Sequence, residues 1–107
     1  MEEENHKHFD DLCIAILLLE TKEEVCNFLH DLCTPKEINT LAERWHVCRL
    51  LEDEKLSYRE INRLTKASLT TIGRVARFLR EESNRGYLTI LNKLRIVKDE
   101  NKAEDTS

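Results

Sequence analysis

Apolar residues recur along this chain at intervals of three and four, the spacing of one face of an α-helix, and turn-forming residues divide the pattern into six helical segments. Phe9, Leu12, Cys13, Ile16, Leu17 and Leu19 predict an amphipathic helix over 6–19. Thr21 with Glu24 forms a capping box, opening a second helix whose stripe is Val25, Phe28, Leu29 and Leu32. Thr34, Pro35 and Glu37 give the strongest start signal: an N-cap threonine, proline in the first helical position, glutamate in the third. The third helix should run to about Glu52. It carries Ile38, Leu41, Ala42, Trp45, Val47, Cys48, Leu50 and Leu51, so more than one face is apolar and a second copy of the chain is expected to cover the excess.

Ser57 with Glu60 is a further capping box, beginning a short helix that holds Tyr58, Ile61 and Leu64. The chain breaks near 66–68, and Ser68 can cap the next helix, with Leu69, Ile72, Val75, Ala76 and Leu79 as its buried stripe. A short helix, a tight turn and a second helix over about 57–80 are the parts of a helix-turn-helix. Ser83 to Gly86 stop that helix, and Tyr87, Ile90, Leu91, Leu94 and Val97 mark the last.

Composition agrees with this pattern. Two glycines and one proline among 107 residues leave few helix breakers, and the expected fold class is all-α. A chain of this length buries one modest core, so a single domain is expected over 1–97, followed by a polar, disordered tail over 98–107. No apolar run approaches the roughly 20 residues that span a bilayer, and the start MEEENHKHFD is acidic where a secretory leader is basic. A cytoplasmic protein away from membranes is expected. Cys13, Cys26, Cys33 and Cys48 follow no disulfide-scaffold spacing and are read as reduced and structural.

The net charge of −4 argues against a polyanion partner until it is divided along the chain. Lys55 to Arg80 holds seven bases and one acid, a local +6, while the remainder holds 10 bases and 20 acids. Such segregation suits a nucleic-acid face on the predicted helix-turn-helix. Ser68, Thr70 and Thr71 offer small hydrogen-bonding groups to base edges. Arg59, Arg63, Lys66 and Arg77 supply cations for phosphates. Gly73, which costs roughly 1 kcal/mol of helix propensity against alanine, gives room for a close approach to DNA or to a neighbouring helix. The bland alternative is a solvated basic surface, or an adaptor whose basic helices dock an acidic protein.

Other chemistries are weaker. Cys26, His30 and Cys33, with His46 and Cys48 in the next helix, match no compact zinc signature, and Cys26 and Cys33 interleave with an apolar stripe. There is no Gly-rich phosphate loop and no nucleophile in a recognisable acid–base setting, so neither enzyme activity nor a cofactor is expected.

The words DLCTPKEINTLAERW and LSYREINRLTKASLTTIGRV, from Leu32 to about Leu79, resemble the tryptophan repressor family, and AILLLETKEEVCNFLHDLCT resembles its YerC/YecD-type relatives. The resemblance implies a six-helix subunit interlocked with a second into a homodimer, with two helix-turn-helix readers on a double-stranded DNA operator. It also implies an effector pocket at Thr34, Arg44 and Arg74, which match the threonine and the two arginines that hold tryptophan in the tryptophan-binding members. Where those members have a glycine and a serine, however, this chain has Val75 and Phe78. Free tryptophan is therefore not expected as co-repressor, and a different small-molecule effector stays open.

Overall fold

The computed structural model describes residues 2–52 and 55–105, and these form six α-helices and no strand. They are α1 (Glu2–Leu17), α2 (Lys22–Leu32), α3 (Pro35–Leu51), α4 (Tyr58–Thr65), α5 (Leu69–Arg80) and α6 (Gly86–Asp105). All six expected segments are present. Helix α1 begins earlier than its apolar stripe, and the acids Glu3 and Glu4 in its first turn complement its dipole. It ends in a tightened turn, Leu18 and Leu19 donating to the carbonyls of Ala15 and Ile16 at 3.1 Å. Helix α6 continues to Asp105, through residues 98–105 of the expected polar tail; residues 106–107 lie outside the described residues.

The starts are set by local hydrogen bonds. At α3 the box is reciprocal: Glu37 N–H donates to Thr34 Oγ1 at 3.1 Å and Thr34 N–H to Glu37 Oε1 at 2.8 Å. Those bonds hold the Glu37 carboxyl below its ordinary pKa, the backbone bond being the larger cause. At α2, Glu24 N–H reaches Thr21 Oγ1 at 3.0 Å, but the Glu24 carboxylate takes the N–H of Glu20 one residue before the cap.

The chain divides into two compact units, residues 1–40 and 41–107. In the second, Val47, Cys48 and Leu51 of α3 pack with Ile61 of α4, Ala67 of the turn, Ile72, Val75, Ala76 and Leu79 of α5, and Leu91 of α6. Ile61 and Ile72 are wholly buried, so truncating either to alanine should cost about 2–5 kcal/mol. Arg80 closes the end of α3 by donating to the Leu51 carbonyl at 3.2 Å, and Arg95 pairs with Glu52 at 2.7 Å. The N-terminal unit differs. None of its described side chains is buried, and Phe9, Ile14, Ile16, Leu17, Leu18, Val25 and Leu32 are exposed, Leu17 by 82%.

Candidate nucleic-acid interface and adjoining pocket

Helices α4 and α5 pack on one another across a three-residue turn, Lys66 to Ser68. Ser57 caps α4, its Oγ accepting from Glu60 N–H at 3.1 Å. Lys66 ends α4 in the left-handed region at φ 62°, a conformation that costs a residue with a Cβ about 1 kcal/mol. The turn that follows is tied on both sides. Asn62 of α4 donates from Nδ2 to the Ala67 carbonyl at 2.6 Å, and Thr65 Oγ1 accepts from Ala67 N–H at 3.0 Å. Ser68, extended at φ −67° and ψ 157°, caps α5 by accepting from Thr71 N–H at 3.1 Å. The hydroxyls of Ser68 and Thr71 are 3.0 Å apart.

Around this turn Arg59, Arg63, Lys66, Ser68, Thr70 and Arg77 are exposed, while Thr71 and Gly73 are half-buried. A Cβ built on Gly73 meets nothing within 4 Å, so no neighbouring helix of this chain requires a glycine there. Arg77 pairs with Glu82 at 3.5 Å; both side chains are about half exposed, so the pair contributes little to stability.

On the side of α5 toward α6 and α3 lies a cavity of about 360 Å³. It brings together Arg44, Arg74, Val75 and Phe78 with Asn84, Gly86 and Tyr87. Thr34 lies in the N-terminal unit, where it caps α3. Val75 is core as well as wall, only 1% exposed. The Arg74 guanidinium stands 4.5 Å from the Phe78 ring centroid and that of Arg77 stands 5.0 Å away, so the phenyl ring is in contact with two cations of its own helix. Tyr87 stacks on Trp45 at 6.4 Å. Burial raises the pKa of the Tyr87 phenol, with Cys48 adding to the rise and Arg44 and Arg74 opposing it. Asn84 and Gly86 read in the sequence as helix-stopping residues and Tyr87 as core; no local pattern signals that the loop before α6 folds back beside α5.

Among the described residues no group of three or more His, Cys, Asp or Glu side chains stands close enough to hold a metal ion. No helix among them is long and apolar enough to cross a membrane.

Six helices with a tightly tied α4–turn–α5 pair define an all-α protein of the helix-turn-helix class. The chain belongs to the Trp repressor protein family, whose pattern matches residues 7–95. It is 37% identical over 98 residues to YerC of Bacillus subtilis (strain 168), described as uncharacterized, spanning 92% of each chain. Its fold is similar to a TrpR-like protein from Eubacterium eligens (TM-score 0.75, 36% identity, 82% of this chain and 89% of that one). It is similar as well to a Staphylococcus aureus protein described as a candidate Trp repressor (TM-score 0.77, 37% identity, 90% of this chain and 96% of that one).

Proposed function

We propose that this chain is a sequence-reading, DNA-binding regulator of transcription, of repressor type, that works as a homodimer and does not respond to free tryptophan. The observation that carries the reading is the coincidence of the tied helix-turn-helix with the one strongly basic segment of an acidic chain. Thr70 and Thr71, with Ser68, face base edges; Arg59, Arg63, Lys66 and Arg77 hold phosphates; Gly73 admits the close approach of DNA. Family membership supports the assignment.

The dimer is supported by the distribution of burial. Two helices of the N-terminal unit expose a series of large apolar side chains, whose removal from water would contribute roughly 1.5–3 kcal/mol each when fully buried. A second copy that covers them would complete a single domain per subunit over 1–97. In the cavity, Val75 and Phe78 line the wall together with Arg44 and Arg74, so the arginines serve structure, or a pocket reshaped for another small molecule.

Selection of bound fragments from random duplex DNA tests the reading. A recovered two-fold symmetric sequence, bound with strong salt dependence, is expected. Equal binding to every duplex would point instead to a nonspecific basic surface, and no binding at all to an adaptor for an acidic protein.

A further inference from the structure

Three arginines of the C-terminal unit give their hydrogens to protein oxygens: Arg77 pairs with Glu82, Arg95 with Glu52, and Arg80 donates to the Leu51 carbonyl. Arg44 of α3 and Arg74 of α5 do not. Among the described residues no carboxylate pairs with either guanidinium, although both line one cavity. The rest of the wall holds no Asp or Glu. Its phenol, Tyr87, has a raised pKa and is a neutral donor at neutral pH; that both arginines oppose the rise places both positive charges near that one hydroxyl. Gly86 and Tyr87 also open the 20-residue α6, so their backbone N–H groups have no partner within the helix.

The chemistry of the two cations narrows what they can hold. A guanidinium is planar and carries its hydrogens at the edge. The Phe78 ring already lies against that of Arg74, 4.5 Å from ring centre to guanidinium carbon, which holds the side chain in place and takes a position where a flat ligand would stack. The edge N–H groups have no acceptor, and their spacing matches the oxygen pairs of carboxylates and phosphates. Arg44 is half-buried, so water screens it less than a surface cation. Two like charges beside one cavity repel each other, and an occupant with two negative charges removes that cost. An ammonium group in the same place finds no acid and is repelled by both.

We propose that this cavity binds a small organic dianion, a dicarboxylate or a phosphate monoester, whose charges are shared between Arg44 and Arg74 while its carbon skeleton lies on Val75 and Tyr87. At about 360 Å³ the site stands near the small end of ligand cavities, which suits a skeleton of few carbons. The inference rests on the regulator reading and names the class of its effector: the site bridges α3 and α5, so an occupant ties the second helix of the pair to the core.

Titration calorimetry on the full chain, without DNA, tests this with succinate and propyl phosphate as dianions, butyrate as a monoanion of similar length and putrescine as a dication. At least one dianion should bind with a dissociation constant below about 1 mM and about tenfold or more tighter than butyrate, with no heat from putrescine. The tighter of the two dianions identifies the carboxylate or the phosphate source. Arg44→Met and Arg74→Met should each weaken that dianion about tenfold. Arg44→Lys and Arg74→Lys keep the charge without the fork and should fall between, which covers a methionine variant that fails to fold, as judged by circular dichroism. Lys93→Met removes an exposed charge of α6 outside the cavity and should bind as the unmodified protein does. Failure of both dianions to bind in that range, butyrate binding as tightly, folded arginine variants that bind unchanged, or an equal loss in Lys93→Met would each overturn the inference while leaving DNA selection untouched. Dianion binding by a protein without sequence preference for DNA would keep the site and remove the regulator reading.

Discussion

Arg74 and Phe78, one helical turn apart on α5, are in face contact: the guanidinium stands 4.5 Å from the centre of the phenyl ring. The arginine that would lie against a flat ligand therefore already has an aromatic ring of the protein against it. Titration calorimetry with L-tryptophan should give no binding heat at micromolar concentrations, and operator affinity should be the same with and without the amino acid. Micromolar binding that tightened DNA affinity would show that the phenyl ring moves aside.

Lys66 combines a strained backbone with a proposed phosphate contact, so stability and binding should part when it is changed. Lys66→Gly relieves the left-handed conformation at φ 62° and should leave the fold unharmed or more stable by up to about 1 kcal/mol. Binding to all duplexes should nevertheless weaken alike, with the slope of log affinity against log salt reduced by about one unit. A loss confined to the preferred sequence would move Lys66 from the phosphates to the bases.

Gly73 makes the same kind of separation on the second helix of the pair. Gly73→Ala meets nothing within 4 Å and should raise stability by about 0.5–1 kcal/mol, seen as a higher thermal midpoint. DNA affinity should fall, because the added methyl group enters the space left for the duplex. Unchanged affinity would show that the duplex does not approach α5 there.

The exposed apolar side chains of the N-terminal unit lead to a concentration effect. Subunits that complete one another's fold should unfold together, with a midpoint that rises with protein concentration. Sedimentation at micromolar concentration should give a dimer; a monomer there would remove the homodimer from the proposal.

Cys48 is wholly buried, and burial, with a smaller contribution from Glu52 and some relief from Arg49, pushes its thiol up to about 11 from an ordinary 9.0. The folded state thus keeps a proton that the unfolded chain loses first, so this contribution is complete below about pH 9 and is lost as pH rises toward 11. The two-unit shift corresponds to about 2–3 kcal/mol. Denaturant titrations at pH 8 and pH 10.5 should show a steeper fall for the unmodified protein than for Cys48→Ala. Thiol reagents should leave Cys48 unmodified in the folded protein; its ready labelling would contradict the burial.

The helix starts were legible because each is written in adjacent residues. Thr34 to Glu37 and Ser68 to Thr71 specify caps whose partners are three positions away. The core stripe of α5 was readable for the same reason, periodicity being a local property. Asn62 was not, since an asparagine in a short helix acquires meaning only when the turn brings the Ala67 carbonyl onto it. Tyr87 reads equally well as a core position or a cavity wall, and only the fold of the loop ahead of α6 makes it both. The end of α6 escaped because residues 98–105 have no apolar stripe to mark them, and a helix can extend on backbone hydrogen bonds and charged side chains alone.

Trp45 is the sole tryptophan of the chain, and its indole stacks on Tyr87, which lines the cavity beside Arg44 and Arg74. Indole fluorescence responds to the polarity and charge around the ring, and Trp45 already has the Arg49 guanidinium 5.9 Å from its ring centre. A molecule entering the cavity would displace or press on Tyr87 and so reach the fluorophore through one aromatic contact. The protein thus carries its own optical reporter: a library of small organic anions can be screened for effectors by emission shift and quenching, with no label attached and no operator in hand.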